Sequence, residues 1–368
     1  MQSKLGQNKR VYLCSRPGKC SPVSLENFAI ETIAVPKCDD GEILVKTLCL
    51  SVGPYMRCRF NADSGVAYAK SWEIGDTIDA SGVGIVIESK DKSHCLGDMI
   101  YLPMSWPFQN YVKFNPSAML SNADPTVGAH SLMKIESDVL RKHPSLSLGL
   151  LGGTGLTAIL GIREKAHITP GMQQTVVVSG AAGACGSAAG QIAKLEGCGK
   201  VVGICGSDEK CACLKEEFGF DVTINYKTTS NIDEVIKEHC PEGVHAYFDN
   251  VGGEISNQVI KCMNEESHVV LCGQISQYNK DLPYPPPIPD DITKILKENK
   301  ITRERYTVLN YPNKFKDALS QLERWYTEGK LKNRETIEFG LQNAGKAFVS
   351  MMSGKNIGKQ VIQVDPGI

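Results

Sequence analysis

Along the second half of the chain, short apolar runs alternate with stretches of helical spacing. Thr175-Val176-Val177-Val178-Ser179 reads as a buried strand and runs straight into Gly180-Ala181-Ala182-Gly183-Ala184-Cys185-Gly186 and a helix. Val201 to Cys205 predicts a second strand and Glu209 to Phe218 a helix, followed by the strand Val222 to Ile224 and a helix near Ile232 to His239. The strand Val244 to Phe248, a helix near Ile255 to Met263, the strand His268 to Leu271 and a helix near Ile292 to Glu298 come next, and Tyr306-Thr307-Val308-Leu309 is the last candidate strand. Six short apolar runs separated by helices predict a doubly wound parallel sheet of the Rossmann type.

Before about residue 145 the pattern changes. Val11 to Leu13, Glu42 to Leu48 and Gly82 to Ile87 are short alternating runs separated by Gly, Pro, Asn and Asp, and Gly97 to Leu102 reads as a turn into a strand. After residue 314 two helical stretches, Lys314 to Glu328 and Gln342 to Met352, lead to a final strand, Lys359 to Val364. A chain of 368 residues exceeds what one core serves. The expected organisation is an α/β Rossmann domain over 146–313 inserted between the parts, 1–145 and 314–368, of a β-rich domain. Pro283-Tyr284-Pro285-Pro286-Pro287-Ile288-Pro289 must be extended, because each proline fixes φ, and reads equally as a rigid connector or a lid.

Composition narrows the partners. A net charge of −1 without a basic block leaves no footprint for nucleic acid or an anionic membrane surface. No apolar run approaches the roughly 20 residues that span a bilayer. Met1 to Gln7 lacks the apolar core of a signal peptide, and Asp365 to Ile368 carries no address signal. The 14 cysteines are scattered without a CxxC, which supports neither a zinc ribbon nor a disulfide framework and fits a cytoplasmic chain with reduced thiols. His94, His130, His143, His167, His239, His245 and His268 form no ligand spacing.

A glycine turn between strand and helix can hold a phosphate on bare N–H groups, although tight helix–strand packing also selects glycine. NAD-binding units carry an Asp or Glu at the tip of the second strand for the ribose 2′-hydroxyl. Here that tip reads Cys205-Gly206-Ser207, and Asp208 and Glu209 fall in the next helix's first turn, where acids cap. Lys210, Tyr226 and Lys227 surround this corner, which favours NADPH, unless Lys210 is a solvated surface residue.

Ligands of such folds lie beyond the carboxyl ends of the strands. Two segments sit there: Asp249-Asn250-Val251-Gly252-Gly253 and Cys272-Gly273-Gln274-Ile275-Ser276-Gln277-Tyr278. Asn250 reads as a nicotinamide or ribose contact or as a turn cap, and Asp249 as a strand end. The cysteines and histidines of a zinc alcohol dehydrogenase are missing from the sequence; where a first ligand would follow the strand it reads Gly53-Pro54-Tyr55-Met56-Arg57. A conjugated enone is then an easier substrate than an alcohol, since hydride addition needs only donors around a developing enolate oxygen. Tyr278 is the candidate donor, against the alternative of a tyrosine packed in its loop. Tyr55, Tyr68, Trp106 and Phe108 line a hydrophobic pocket or belong to the core.

These residues resemble a family. From Ser15-Arg16-Pro17-Gly18 to Asn356-Ile357-Gly358-Lys359-Gln360, and most specifically in Val178 to Gly190, Tyr247 to Gly253, Leu271 to Pro287 and Ile301 to Glu304, the chain is similar to the zinc-independent prostaglandin and alkenal reductase branch of the medium-chain dehydrogenases/reductases. The resemblance implies a GroES-like catalytic domain, no metal, and NADPH-dependent reduction of the 13,14 double bond of 15-keto-prostaglandins, a lipid enone. It implies that Gly183, Ala184, Cys185 and Gly186 hold the pyrophosphate and Lys210 and Tyr226 the 2′-phosphate. Asn250, Cys272, Gly273, Gln274, Ile275, Ser276, Gln277, Tyr278, Tyr306, Thr307, Val308 and Asn356 would complete the cofactor site, with Tyr278 at the substrate oxygen and Ser105 and Trp106 bordering the lipid. Two departures stand out: Gly53 where the family has Asp, and Gly153-Thr154 where it has Met-Pro. A quinone reductase on the same fold and a non-catalytic NADPH-binding protein are the competing readings. An exposed sheet edge near Tyr306 would let two copies pair as a homodimer.

Overall fold

The computed structural model describes residues 6–66, 68–121, 131–283 and 285–365. The first five residues and the last three, read above for targeting signals, lie outside the described residues, as do His130 and Tyr284 of the proline-rich stretch. Two compact units emerge, one of residues 1–149 with 336–368 and one of residues 150–335.

The second unit is built on six parallel strands: β1 (Thr175–Ser179), β2 (Lys200–Cys205), β3 (Val222–Asn225), β4 (Val244–Asp249), β5 (Met263–Leu271) and β6 (Thr302–Arg305). Their order in the sheet, β3-β2-β1-β4-β5-β6, is that of a dinucleotide-binding Rossmann sheet, with the strand order reversing beside β1. The unbroken apolar run predicted β1 because helices cover both faces of a parallel sheet. Val176, Val177 and Val178 are fully buried, and each contributes roughly 1.5–3 kcal/mol as an upper bound.

One strand is corrected. The last strand is Thr302–Arg305, four residues ahead of the apolar run Tyr306 to Leu309, and Val308–Asn310 forms a 3₁₀ turn. His268 pairs with Thr302 and Leu271 with Arg305, which places Tyr306 just past the end of the ladder, its N–H still bonded to Leu271 O. This is an edge strand, and edge strands carry charge to discourage stray pairing; Thr302, Glu304 and Arg305 are exposed. The exposed edge is therefore β6 and not Tyr306, which is buried. The helix expected over 255–263 spans Gly253–Ile260, so that β5 begins at Met263. The helix Phe315–Thr327 packs on the helix Gly153–Gly161 and belongs to this second unit, whereas the sequence pattern had set the boundary at 313/314.

The first unit holds a sheet in the order Glu335–Phe339, Lys359–Gln363, Ile43–Val52, Asp79–Ser89, Met99–Pro107, Met133–Lys134, antiparallel from Lys359–Gln363 onward, with Tyr111–Phe114 also paired antiparallel to Ile43–Val52. A separate two-stranded ribbon joins Asn8–Leu13 to Phe28–Ile33. The core gathers aromatic rings edge to face: Phe60 meets Phe28 at 5.3 Å and Trp72 at 5.2 Å between centroids. Among the described residues no helix is long and apolar enough to cross a membrane.

Candidate functional site

The glycine turn follows β1 directly. Gly180 turns the chain at φ +58°, where a side chain is strained, and its carbonyl accepts from Gly183 N at 2.9 Å. The helix Ala184–Leu195 starts one residue later, and its first intrahelical bond runs from Ser187 N to Gly183 O at 2.9 Å. The N–H groups of Ala184, Cys185 and Gly186 precede that bond and open at the positive end of the helix, as a bound phosphate requires. A Cβ on Gly186 would sit 2.5 Å from Gly180 O, so close packing also demands glycine there. The packing reading of the turn is therefore observed directly, and the free N–H groups leave room for the other.

Asp249 organises the neighbouring loops. Its side chain is fully buried at the end of β4, and Oδ1 accepts from Ser179 Oγ (3.1 Å), Tyr247 Oη (2.9 Å), Val251 N (3.0 Å) and Gly252 N (2.8 Å). Oδ2 accepts from Ser256 Oγ at 3.0 Å. Read from sequence as a mere strand end, it ties β1, β4 and the helix Gly253–Ile260 together. Asn250 Nδ2 donates to Ser179 O at 2.8 Å, the turn-capping role left open by the sequence. The loop after β5 hangs on this framework: Gly273 N donates to Asp249 O, Ile275 N to Asn250 O, and Ser276 Oγ to Val251 O at 2.7 Å. Within it Ile275–Gln277 forms a 3₁₀ turn, and Gln277 Nε2 donates to Ser276 Oγ. That turn carries Tyr278 back over Gly273, where its hydroxyl accepts from Gln274 N at 3.4 Å.

The corner beside β2 is cationic. Ser207 caps the helix Asp208–Glu216 by accepting from Lys210 N, and Asp208 Oδ1 accepts from Asn225 Nδ2 at 2.7 Å, so this acid is engaged in the fold. The Tyr226 ring lies against Gly206, where a Cβ would come 2.9 Å from its hydroxyl. Burial, aided by Lys227, holds the Lys210 ammonium below the usual lysine range, against opposing pulls from Cys205 and Glu209. A desolvated cation of this kind is suited to a dianionic phosphate.

Two orphaned atoms mark the other end. Tyr306 Oη is buried with no hydrogen-bond partner, and burial, then Cys272 and Cys185, drives its pKa far up. Gln274 Oε1 is likewise buried and unpartnered. Thr307 and Val308 follow Tyr306, half-buried. Pro286 to Pro289 wall a small cavity of about 60 Å³ together with Gln274, Gln277 and Arg303. Bare N–H groups at the turn, a desolvated lysine at the corner and unsatisfied polar atoms by the sheet end fit a dinucleotide phosphate at the 2′ position included.

On the first unit, Tyr55 opens the short helix Met56–Arg59, and its hydroxyl is buried without a partner. Burial raises its pKa, with Arg59 opposing and Asp79, Tyr101 and Tyr68 adding to the rise. Tyr101, which the sequence pattern did not single out, is pushed up to about 12 by burial and bonds Ser81. Tyr68 is half-buried in a loop braced by Arg59, which donates to Lys70 O at 2.7 Å and lies 4.4 Å from the Trp72 ring. Trp106 is corrected: it is a core residue, fully buried, its indole donating to Thr47 Oγ1 at 3.0 Å. Between the pairs Gly82–Leu102 and Ala80–Trp106 the ladder shifts register, and Met104 takes φ +58°. This bulge turns Trp106 inward over Gly82 and leaves Ser105 half-buried beside it. Asn356 Nδ2 donates to Gly358 O at 2.8 Å within this unit. A Cβ on Gly53 would come 3.1 Å from the Tyr55 ring, so that departure bears on Tyr55, whereas a Cβ on Gly153 meets nothing within 4 Å. Among the described residues no three His, Cys, Asp or Glu side chains gather as metal ligands would.

Comparison with known proteins supplies the remaining observations. Residues 184–324 match the family described as zinc-binding dehydrogenase, and residues 9–120 the N-terminal domain of oxidoreductase. Prostaglandin reductase 1 of Bos taurus is 38% identical over 92% of this chain and 94% of its own. That of Rattus norvegicus is 37% identical over the same shares. The crystal structure of CurA in complex with NADPH, from Vibrio vulnificus, superposes with a TM-score of 0.84 at 30% identity, covering 97% of this chain and 99% of that one. The chain therefore belongs to the zinc-independent medium-chain dehydrogenases/reductases, in the branch of the prostaglandin reductases, and its cofactor is NADPH.

Proposed function

We propose that this oxidoreductase reduces the conjugated carbon–carbon double bond of 15-keto-prostaglandins to give 13,14-dihydro-15-keto-prostaglandins. The observation that carries the reading is Tyr278, whose hydroxyl is held over Gly273 at the carboxyl end of β5 by the Asp249-anchored loops. Bound in the cradle, NADPH supplies a hydride to the β-carbon of the enone. The chain's own residues orient the partners and shelter charge. Gly183 turns the chain so that the N–H groups of Ala184, Cys185 and Gly186 hold the pyrophosphate, and Lys210 and Tyr226 hold the 2′-phosphate. Tyr278 donates to the ketone oxygen on which negative charge gathers. Tyr55, Tyr68 and Ser105 border the lipid, with Trp106 supporting Ser105 from the core.

Mixing the protein anaerobically with NADPH and 15-keto-prostaglandin E2 is expected to lower cofactor absorbance and yield a product heavier by two hydrogens. Turnover of quinones with none of any enone would instead assign a quinone reductase, and cofactor binding without turnover of either a non-catalytic protein. Lys210→Ala is expected to raise the KM for NADPH about tenfold while leaving that for NADH within about twofold, since one charge-assisted contact is worth on that order. An equal loss for both cofactors removes the phosphate from this corner.

A further inference from the structure

Two thiols outside the proposed catalytic machinery face each other at the nucleotide corner. Cys205 ends β2 and Cys211 lies in the following helix, their sulfurs 3.4 Å apart. Between them run Gly206 to Lys210, the segment that caps the helix and presents Lys210. Cys205 is 3% exposed and Cys211 half-buried, so an oxidant meets Cys211 first. Cys211 N already donates to Ser207 O at 3.0 Å, which holds the turn closed. Reaching a disulfide's sulfur separation needs an approach of about 1.4 Å, within the range of side-chain rotation. Burial, and the Cys211 thiol after it, raise the Cys205 thiol above the usual cysteine range, so the more accessible Cys211 is the sulfur that meets an oxidant first.

We propose that Cys205 and Cys211 form a reversible disulfide when the protein meets a hydroperoxide, and that this bond weakens NADPH binding at the adjoining corner. In the first step the Cys211 sulfur attacks the peroxide; an S–O bond forms, the O–O bond breaks, and the Cys211 proton passes to the departing oxygen, which leaves as an alcohol or water. In the second, Cys205 attacks the Cys211 sulfenic acid; the S–S bond forms, the S–O bond breaks, and the Cys205 proton leaves with the hydroxide as water. Two thiols are oxidised by two electrons and one peroxide is reduced. Closure draws the helix's first turn toward β2 and moves Lys210, the residue next to Cys211. A 2′-phosphate held on Lys210 opposes that movement. The coupling to NADPH rests on the proposed role of Lys210; the bond itself does not.

The test uses the full-length protein treated with hydrogen peroxide, alone or with NADP⁺ or NAD⁺, then alkylated and digested with trypsin. Expected is a cross-link between residues 201–210 and 211–215, reversed by dithiothreitol, lost in Cys211→Ser and in Cys205→Ala, and retained in Cys213→Ser. The oxidised protein is expected to show an about tenfold higher KM for NADPH, restored on reduction, with little change for NADH. NADP⁺ is expected to slow the cross-link and NAD⁺ to leave its rate unchanged. Recovery of Cys205 and Cys211 as alkylated thiols, while the exposed Cys14, Cys20 and Cys95 are oxidised, overturns the bond. A cross-link slowed equally by both cofactors overturns the coupling. If Lys210→Ala also keeps its preference for NADPH, the fault lies in the phosphate assignment and the bond stands.

Discussion

Asp249→Ala is expected to destabilise the nucleotide unit by about 3–5 kcal/mol, the range for removing one member of a buried charged network. The carboxylate accepts five hydrogen bonds, and alanine leaves the buried hydroxyls of Ser179, Tyr247 and Ser256 and the N–H groups of Val251 and Gly252 without it. At a few degrees per kcal/mol for a unit of this size, the melting temperature falls by roughly 10 °C. Asp249→Asn keeps the Oδ1 acceptor and turns an amide toward the Ser256 hydroxyl, which can accept from it, so its loss is expected to be less than half as large. Calorimetry of the three proteins checks the order. If alanine melts with the parent, the hub described here does not hold the loops. Because the loops at 250–253 and 272–278 hang on this residue, the NADPH KM of the alanine variant is expected to rise even at temperatures where it stays folded.

Tyr278→Phe is expected to lower kcat with saturating 15-keto-prostaglandin E2 by about 10²-fold, in line with loss of one donor to a developing oxyanion. The bond from Gln274 N that the change removes is long, at 3.4 Å, and a melting curve checks that the variant stays folded. The KM for NADPH is expected to move by less than about twofold, because removing a group that acts only in the transition state spares ground-state binding. Steady-state kinetics with both substrates varied separate these terms. A variant as fast as the parent would place the donor elsewhere.

The parallel sheet was legible because its central strands are apolar on both faces and the glycine turn marks the strand order's pivot. The last strand was not. Thr302-Arg303-Glu304-Arg305 reads as a polar loop, since an edge strand is paired on one side only and is defended by charge, while the apolar Tyr306 beside it is buried for a different reason, its ring lying against Gly161 and 6.1 Å from the Tyr311 ring. The residues gathered at the Lys210 corner could be named together because they are local, lying just beyond β2 and β3. Asp249 as a hub was not, because its five donors come from β1, β4 and the turn and helix that follow, and only the folded chain brings them to one oxygen pair. Trp106 misled for a similar reason: the bulge that sends it into the core depends on Met104 in a left-handed conformation and on Gly82 across the ladder, neither visible as a pattern.

The sheet of the first unit carries a consequence for biosynthesis. Its strand Lys359–Gln363 lies beside Ile43–Val52, with Gln360 opposite Val52, so the two halves of one ladder leave the ribosome separated by the whole Rossmann unit, the second only after that unit has emerged. The inserted Rossmann unit has all its strands in hand well before that, and domains generally fold as their segments emerge. The outer unit must then wait with Ile43–Val52 lacking one neighbour until Lys359–Gln363 emerges. Truncations that remove the C-terminal strand should therefore yield a nucleotide unit that folds and an outer unit that aggregates.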